Sequence, residues 1–539
     1  MGLVSVTVFR NAAVFDGFRQ RGSMGDVVID GGRITSIGSG ASPVGATVID
    51  VGGGLLLPGF TDAHVHPVQG GLEYLSCNLS GIAVDSGAYL EHVRGYAEAH
   101  RNLDWIQGGG WAMAAFPGGL PTARALDEVV ADRPVALANR DHHGMWVNSR
   151  ALQAAGITAA TPDPADGRIE RDADGQPTGV LHEGAMGLLA SVLPAADDEQ
   201  MYAGLLEGQR YLHSLGITGW QDAIVGSYSG MRDAGPTYAR AAASGALTGR
   251  VVGALWWDRE RGSDQIPELL AKREAYTRGR FAATSVKIMQ DGVAENGTAA
   301  LVEPYLDRCG HPTRNSGISF VDPESLRPYV RELDDHGFQV HFHGLGDRGV
   351  REALDALEGT HRDRRHHIAH LQLVHPDDVA RFGQLGVAAN IQALWACNDD
   401  QMTELTVPFL GPDRAGRQYP FADLYAAGAR LVAGSDWPVS TPDPLAAIHT
   451  AVHRKAYGEP APAGTDPFLL EQALGIEAAF AAYTSGSAWV NHRDDAGMIT
   501  PGAVADLVLL DRDPFRDPQE IGAARVRSTW IDGVCVHEA

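Results

Sequence analysis

The stretch LPGFTDAHVHPVQGG, Leu57–Gly71, begins as an apolar strand and ends in a turn. Side chains alternate along a strand, so Asp62, His64 and His66 share one face. Two imidazoles at i and i+2 can converge on one ion from the end of such a strand. They can equally form a hydrogen-bonded pair beside a turn, and the stretch alone leaves both readings open.

Seven further segments share this build: GITGWQDA (216–223), RVVGALWW (250–257), TSVKIM (284–289), FQVHFHG (338–344), RHHIAHL (365–371), VAANIQA (387–393) and ARLVAGSD (429–436). Helical patterns such as PESLRPYVRELDDHG and DRGVREALDALEG lie between several of them. Eight buried strands with intervening helices predict an α/β chain, a (β/α)8 TIM-type barrel. Some 150 residues separate the first two strands, which requires an insertion. WIQGGGWA and PVALANRD within it also have strand character. The first sixty residues and the C-terminal end read as short strands around Gly and Asp, a small sheet module assembled from both termini.

The 539 residues are 44% hydrophobic and 20% charged, with 43 basic against 67 acidic side chains. The net charge of −24 disfavours a nucleic-acid or anionic-membrane partner. No apolar run approaches the ~18 residues of a membrane span. Cys77, Cys309, Cys397 and Cys535 are far apart and form no C-x-x-C pair, and no basic leader opens the chain. A cytoplasmic enzyme acting on a small molecule is the expectation.

Polar residues gather at the C-terminal ends of the strands, where barrel active sites are built. FQVHFHG offers His341 and His343, RHHIAHL offers His366, His367 and His370, and GSDWP offers Asp436. Imidazole and carboxylate together suit Zn2+ and related divalent ions. Four strand ends finishing in His or Asp favour a metal site over packing. Lys287 ends another apolar strand, where an unpaired ammonium is unfavourable. Either Asp291 or Glu295 pairs with it, or it has lost its positive charge.

These segments resemble the amidohydrolase superfamily, in particular its branch of N-substituted formamide deformylases and related metal-dependent hydrolases. The resemblance rests on LPGFTDAHVHP, SVKIMQDGV, VHFHGLGDRGV, RHHIAHLQ, AGSDWPVSTPDPL and AGMITPGAVADLVLLDRDP, in that order. It implies a small β-sandwich from residues 1–57 and 498–539, and a barrel over 58–497 with 68–205 as an inserted lid and substrate region. It implies His64 and His66 on one metal, His343 and His370 on a second, and Lys287 as a carboxylated bridge (N6-carboxylysine). One or two divalent ions, zinc foremost, are expected.

Asp436 matches the family's metal-proximal acid/base. The implied reaction is hydrolysis of a non-peptide C–N bond, an N-formyl or N-acyl amine, by metal-activated hydroxide. His143 is expected to face the substrate and stabilise the anionic oxygen of the addition intermediate. Trp111 is expected either to touch substrate or to pack within the lid beside Trp146. Asp347 is expected to cap the next helix or orient His343, Glu183 to be solvated or paired in the lid, and Asp62 to be either a carboxylate supporting the ligand histidines or a structural one. Ala369 stands where many relatives carry an acid, and HHG at 142–144 and ACNDDQ at 396–401 are less typical, which weakens any transfer of substrate. An esterase or ring deaminase on the same site, or a silent small-molecule-binding barrel, are the competing readings. A homodimer is expected on general grounds.

Overall fold

Apolar runs stopped by Gly, Asp or His become eight strands. They are β1 (Phe60–Val65), β2 (Ile217–Val225), β3 (Arg250–Trp256), β4 (Phe281–Met289), β5 (Gln339–Gly344), β6 (His367–His370), β7 (Ala388–Ile391) and β8 (Leu431–Ala433). The computed structural model describes residues 6–38, 43–140, 142, 144–164, 167–228, 231–295, 297–458 and 467–539. The eight strands pair in chain order as one parallel sheet. Every residue of β1, β5, β6, β7 and β8 is buried, as expected for strands covered on both faces. The sheet curls into a nearly closed TIM-type barrel. Just beyond the strand ends, Asp436 N donates to His64 O and His66 N to Trp437 O, both at 2.8 Å.

Helices cover the outside of the barrel with apolar faces spaced three and four residues apart. Helix Pro323–Asp335 buries Leu326, Val330 and Leu333, and helix Asp347–Ala356 buries Val350, Ala353 and Leu354. Asp322 caps the first of these by accepting from Ser325 N.

The insertion between β1 and β2 has its own six-stranded sheet, running from Cys77–Asn78 to Pro177–Glu183. WIQGGGWA and PVALANRD supply two of its strands, Ile106–Trp111 and Val135–Asn139. Helices Pro67–Leu75 and Asp198–Ser214 flank the insertion, and Val68, Met201, Leu205 and Leu212 join the barrel's core. The two helices touch through glycines: a Cβ at Gly71 would lie 1.8 Å from Gly204 O. That close approach fixes the helix that follows His66.

Both termini build a third sheet, eight-stranded and mixed. It is continuous, and it curls until Arg33 bridges Val504. Period-two alternation gives it two buried faces. Phe9, Val14, Leu56, Leu507 and Leu509 fill its own core, while Phe15, Leu55, Leu57, Val508 and Leu510 pack against the barrel. Among the described residues, no helix is long and apolar enough to cross a membrane.

Candidate metal centre

The polar ends of β1 and β8 meet at one carboxylate. Asp436 Oδ1 lies 3.1 Å from His64 Nε2 and 3.0 Å from His66 Nε2. Asp436 reaches this position by adopting a left-handed φ of 58° three residues beyond β8. Asp62 shares the His64 face in the strand pattern, yet it bonds to backbone: Oδ1 accepts from His64 N at 3.0 Å and Ser435 N at 3.1 Å. It therefore ties β1 to β8, and burial pushes its carboxyl up to about 7.

β5 and β6 complete the ring. His343 Nδ1 lies 3.2 Å from Asp291 Oδ1. Asp291 also accepts from Leu345 N (3.0 Å), Gly346 N (2.7 Å) and Ala300 N (3.0 Å), so it is fixed by backbone and fixes the imidazole in turn. His370 ends β6 at φ 81°, and neither of its buried ring nitrogens has a hydrogen-bond partner among the described residues. Its ring lies nearly parallel to Trp395, centroids 5.3 Å apart at 6°. Ligand atoms of His64, His370 and Asp436 all lie within 4.8 Å of one another.

Lys287 Nζ is buried with no hydrogen-bond partner among the described residues. The expected ion pairs do not form, because Asp291 is engaged with His343 and Glu295 accepts from Thr406 Oγ1 at 3.1 Å. Burial lowers the amine's pKa to about 7. Its charge is felt at His64, His343 and His370, which places it electrostatically inside the same cluster.

The donor set fits a divalent cation. Burial holds His64 down at about 3 and His370 well below the usual imidazole range, so both are neutral at pH 7 with a lone pair to give. Burial alone would raise Asp436, but the His64 and His66 imidazoles at its oxygen prevail and hold the carboxyl well below the carboxylate range. Unpartnered nitrogens on His370 and Lys287 would be costly if nothing were to engage them. Neutral imidazoles around an ionised carboxylate are ligands for a divalent ion.

The remaining histidines of the two motifs do other work. His366 clamps Asp334 (3.2 Å) while its Nδ1 accepts from Val340 N (2.9 Å). His367 meets Gln221 Oε1 at 2.8 Å, and His341 meets His64 Nδ1 at 2.9 Å. The ambiguity between neighbours in FQVHFHG and RHHIAHL is thus a division of labour within the barrel.

Residues 47–537 match the family described as "Amidohydrolase family". The chain belongs to the amidohydrolase family. As an amidohydrolase it is a metal-dependent hydrolase acting on C–N bonds. YtcJ of Bacillus subtilis (strain 168) is 30% identical over 91% of this amidohydrolase and 90% of its own length. The N-substituted formamide deformylase of Arthrobacter pascens is 28% identical over 95% of this chain and 94% of its own. Among solved structures, an uncharacterized metal-dependent hydrolase from Pyrococcus furiosus superposes with a TM-score of 0.72 at 25% identity, covering 94% of this chain and 99% of that one.

Of the two alternatives for Trp111, packing within the lid is the one the amidohydrolase's structure shows, and the expectation for Asp347 is corrected. Trp111 does not line the site: it is 1% exposed, its indole N–H donates to Leu137 O at 2.8 Å, and it packs on Phe116 and Trp146 in the insertion core. Asp347 neither caps its helix nor touches His343, because its Oδ1 accepts from Val302 N at 2.9 Å. His143 and the side chain of Glu183 lie outside the described residues. The neighbouring His142 is described, and its Nε2 lies 3.3 Å from Glu73 on the helix following His66. A cavity of about 40 Å³ opens beside His66, walled by Val68, Gln69, Met201, Asp222 and Tyr228. Asp222, Trp395 and the orienting role of Asp291 were not foreseen, since none carries a spacing signal.

Proposed function

We propose that the chain hydrolyses an amide-type, non-peptide C–N bond, with an N-formyl or N-acyl amine as substrate class, at a zinc centre held by His64, His66, Lys287, His343, His370 and Asp436. The observation that carries this reading is the convergence of the His64 and His66 imidazoles on Asp436, beside an unpaired buried lysine. When bound, one divalent ion or two would supply Lewis acidity and make water acidic enough to react near pH 7.

The chain's own groups supply the rest. Asp436 is ionised and sits at the barrel mouth, so it accepts the proton of the attacking water at a carboxylate oxygen. It returns that proton to the leaving nitrogen, which would otherwise depart as a poor amide anion. Asp291 holds His343 by its Nδ1 and so turns Nε2 inward. Lys287 reacts as its neutral amine: Nζ adds to the carbon of CO2 and releases one proton to bulk water, giving an anionic carbamate where a protonated lysine would set a cation beside the ion.

A panel of N-formyl amines, N-acyl amines, simple esters and amino-heterocycles, assayed with zinc-loaded protein, tests the reading. Turnover of the first two classes, abolished by Asp436→Asn, is expected. Turnover of esters alone, or deamination of the heterocycles alone, would overturn it.

A further inference from the structure

We propose that His341 is a positioning residue for this centre: its Nε2 accepts the Nδ1 proton of His64, which leaves the Nε2 lone pair of His64 directed at the ion. The inference rests on the metal reading above.

The hydrogen-bond network beneath the site fixes the roles one by one. Gln339 Nε2 donates to Arg365 O (2.8 Å) and Val490 O (2.7 Å), and carbonyls only accept, so its Oε1 faces Gln221 Nε2 at 2.8 Å. Gln221 Oε1 is then left for His367, whose Nε2 at 2.8 Å must carry the proton. Asn390 Nδ2 donates to Ala63 O (3.0 Å) and to His367 Nδ1 (3.2 Å), which agrees with that tautomer. Asn390 Oδ1 accepts from Gln392 Nε2 at 3.0 Å, and Gln392 Oε1 accepts from His370 N at 2.6 Å. Each of these buried groups has a defined role.

His341 is where the assignment stays free. Its ring lies over His367, centroids 4.0 Å apart, and its Nδ1 has no hydrogen-bond partner among the described residues. Among the described residues its ring makes one hydrogen bond, the 2.9 Å contact of Nε2 with His64 Nδ1. Two neutral arrangements satisfy that contact, each with one proton per ring. In the first, His341 Nε2–H donates to His64 Nδ1, and His64 Nε2–H donates to Asp436 Oδ1 at 3.1 Å. That arrangement is closed and has no lone pair for a cation. In the second, His64 Nδ1–H donates to His341 Nε2, and His341 carries its proton on Nδ1. Then His64 Nε2 presents a lone pair beside the Asp436 carboxylate, an opposition of two acceptors that a cation relieves.

An ion therefore selects the second arrangement, and His341 must accept for it to exist. A ligand histidine most often hands its outer proton to a carboxylate or carbonyl. Here the acceptor is another imidazole, which must shift its own proton to an unpartnered nitrogen. That shift opposes ion binding, so a side chain that accepts at the same place without it binds the ion at least as well. Glutamine is such a side chain, because its terminal amide reaches about as far as a histidine Nε2.

The test is zinc affinity of the full chain, read by competition with a chromogenic chelator at pH 7.5, with thermal melting to monitor the fold. His341→Leu is expected to bind zinc 10–100-fold more weakly than wild type. His341→Gln is expected to bind within threefold of wild type or tighter. Wild-type protein that binds no zinc would sink the metal reading and this inference with it. Wild-type binding with His341→Leu within twofold would overturn this inference alone. Should His341→Leu fail to fold, the wild type decides by nitrogen-15 histidine spectra: zinc is expected to move the His64 proton from Nε2 to Nδ1, and an unchanged tautomer overturns the proposal.

Discussion

Gly434 stands directly against His64: a Cβ at residue 434 would lie 2.5 Å from the His64 Cβ and 2.7 Å from its backbone nitrogen. The β8–β1 seam closes to the distance that two backbones and one side chain allow. That closeness lets Asp436, two residues further on, donate its own N–H to His64 O at 2.8 Å and bring its carboxylate to both imidazoles. Gly434→Ala is predicted to force the strands apart, at about 1–3 kcal/mol of stability. Bound zinc should fall with it. Denaturant unfolding and metal content measure the two effects, and an alanine variant equal to wild type in both would contradict the packing argument.

Lys287 is predicted to carry a carbamate in the zinc-loaded protein. An unpaired, buried amine held at about 7 reacts with CO2 at neutral pH, where an ordinary lysine is protonated. Protein prepared in carbon-13 bicarbonate should give a carbamate signal, absent from Lys287→Ala, and that variant should lose zinc. A wild-type spectrum without the signal excludes the carbamate.

His213 makes acid sensitivity predictable. It is buried where the barrel meets the terminal sheet, with Nδ1 2.9 Å from Ile217 O and Nε2 2.7 Å from Thr248 Oγ1. The carbonyl accepts, so Nδ1 carries the proton and Nε2 accepts from the threonine. Burial, the leading cause, pulls its pKa from 6.5 to about 4. As pH falls through 6.5 the unfolded chain takes a proton that the folded chain refuses until about 4, so stability falls across that window and levels off below it. This residue should account for up to ~3 kcal/mol of the loss. Denaturant midpoints at pH 7 and pH 5 should therefore converge in His213→Gln relative to wild type. An unchanged difference between the two pH values would assign the acid sensitivity elsewhere.

Trp111 is predicted to matter for the insertion and not for substrate binding. Trp111→Ala should cost about 3–5 kcal/mol, the usual range for emptying an aromatic core site. Trp111→Phe should retain the fold with an unchanged KM. A KM that rises more than fivefold in the phenylalanine variant, at wild-type stability, would restore the indole to the substrate.

Much of this architecture was legible because barrel strands are short, apolar and buried on both faces, so polar residues at their ends stand out. Asp62, His64 and His66 were visible for that reason, and so were Lys287 and Asp436. Period two does not separate His341 from His343, since residues i and i+2 share a face. What separates them is Asp291, 52 residues upstream, which holds one, and His64, 277 residues upstream, which meets the other. Trp111 was illegible in the same sense: its indole is satisfied by Leu137 O across a strand pair that only the folded insertion creates. Trp395 orients His370 by stacking, a relation with no fixed sequence spacing. The sandwich expected at the termini took the form of one curled sheet, because strands from both ends pair edge to edge at Leu56 and Leu509.

Side chains from β1, β4, β5, β6 and the loops beyond β1 and β8 are predicted to form one metal centre. Metal stoichiometry tests it most directly, measured by inductively coupled plasma mass spectrometry on folded wild-type protein and on His64→Ala and His370→Ala. One to two equivalents of a divalent metal, zinc foremost, are expected in wild type, with a clear loss in both variants. Undiminished metal in the two variants, or none in wild-type protein prepared with zinc, would contradict it.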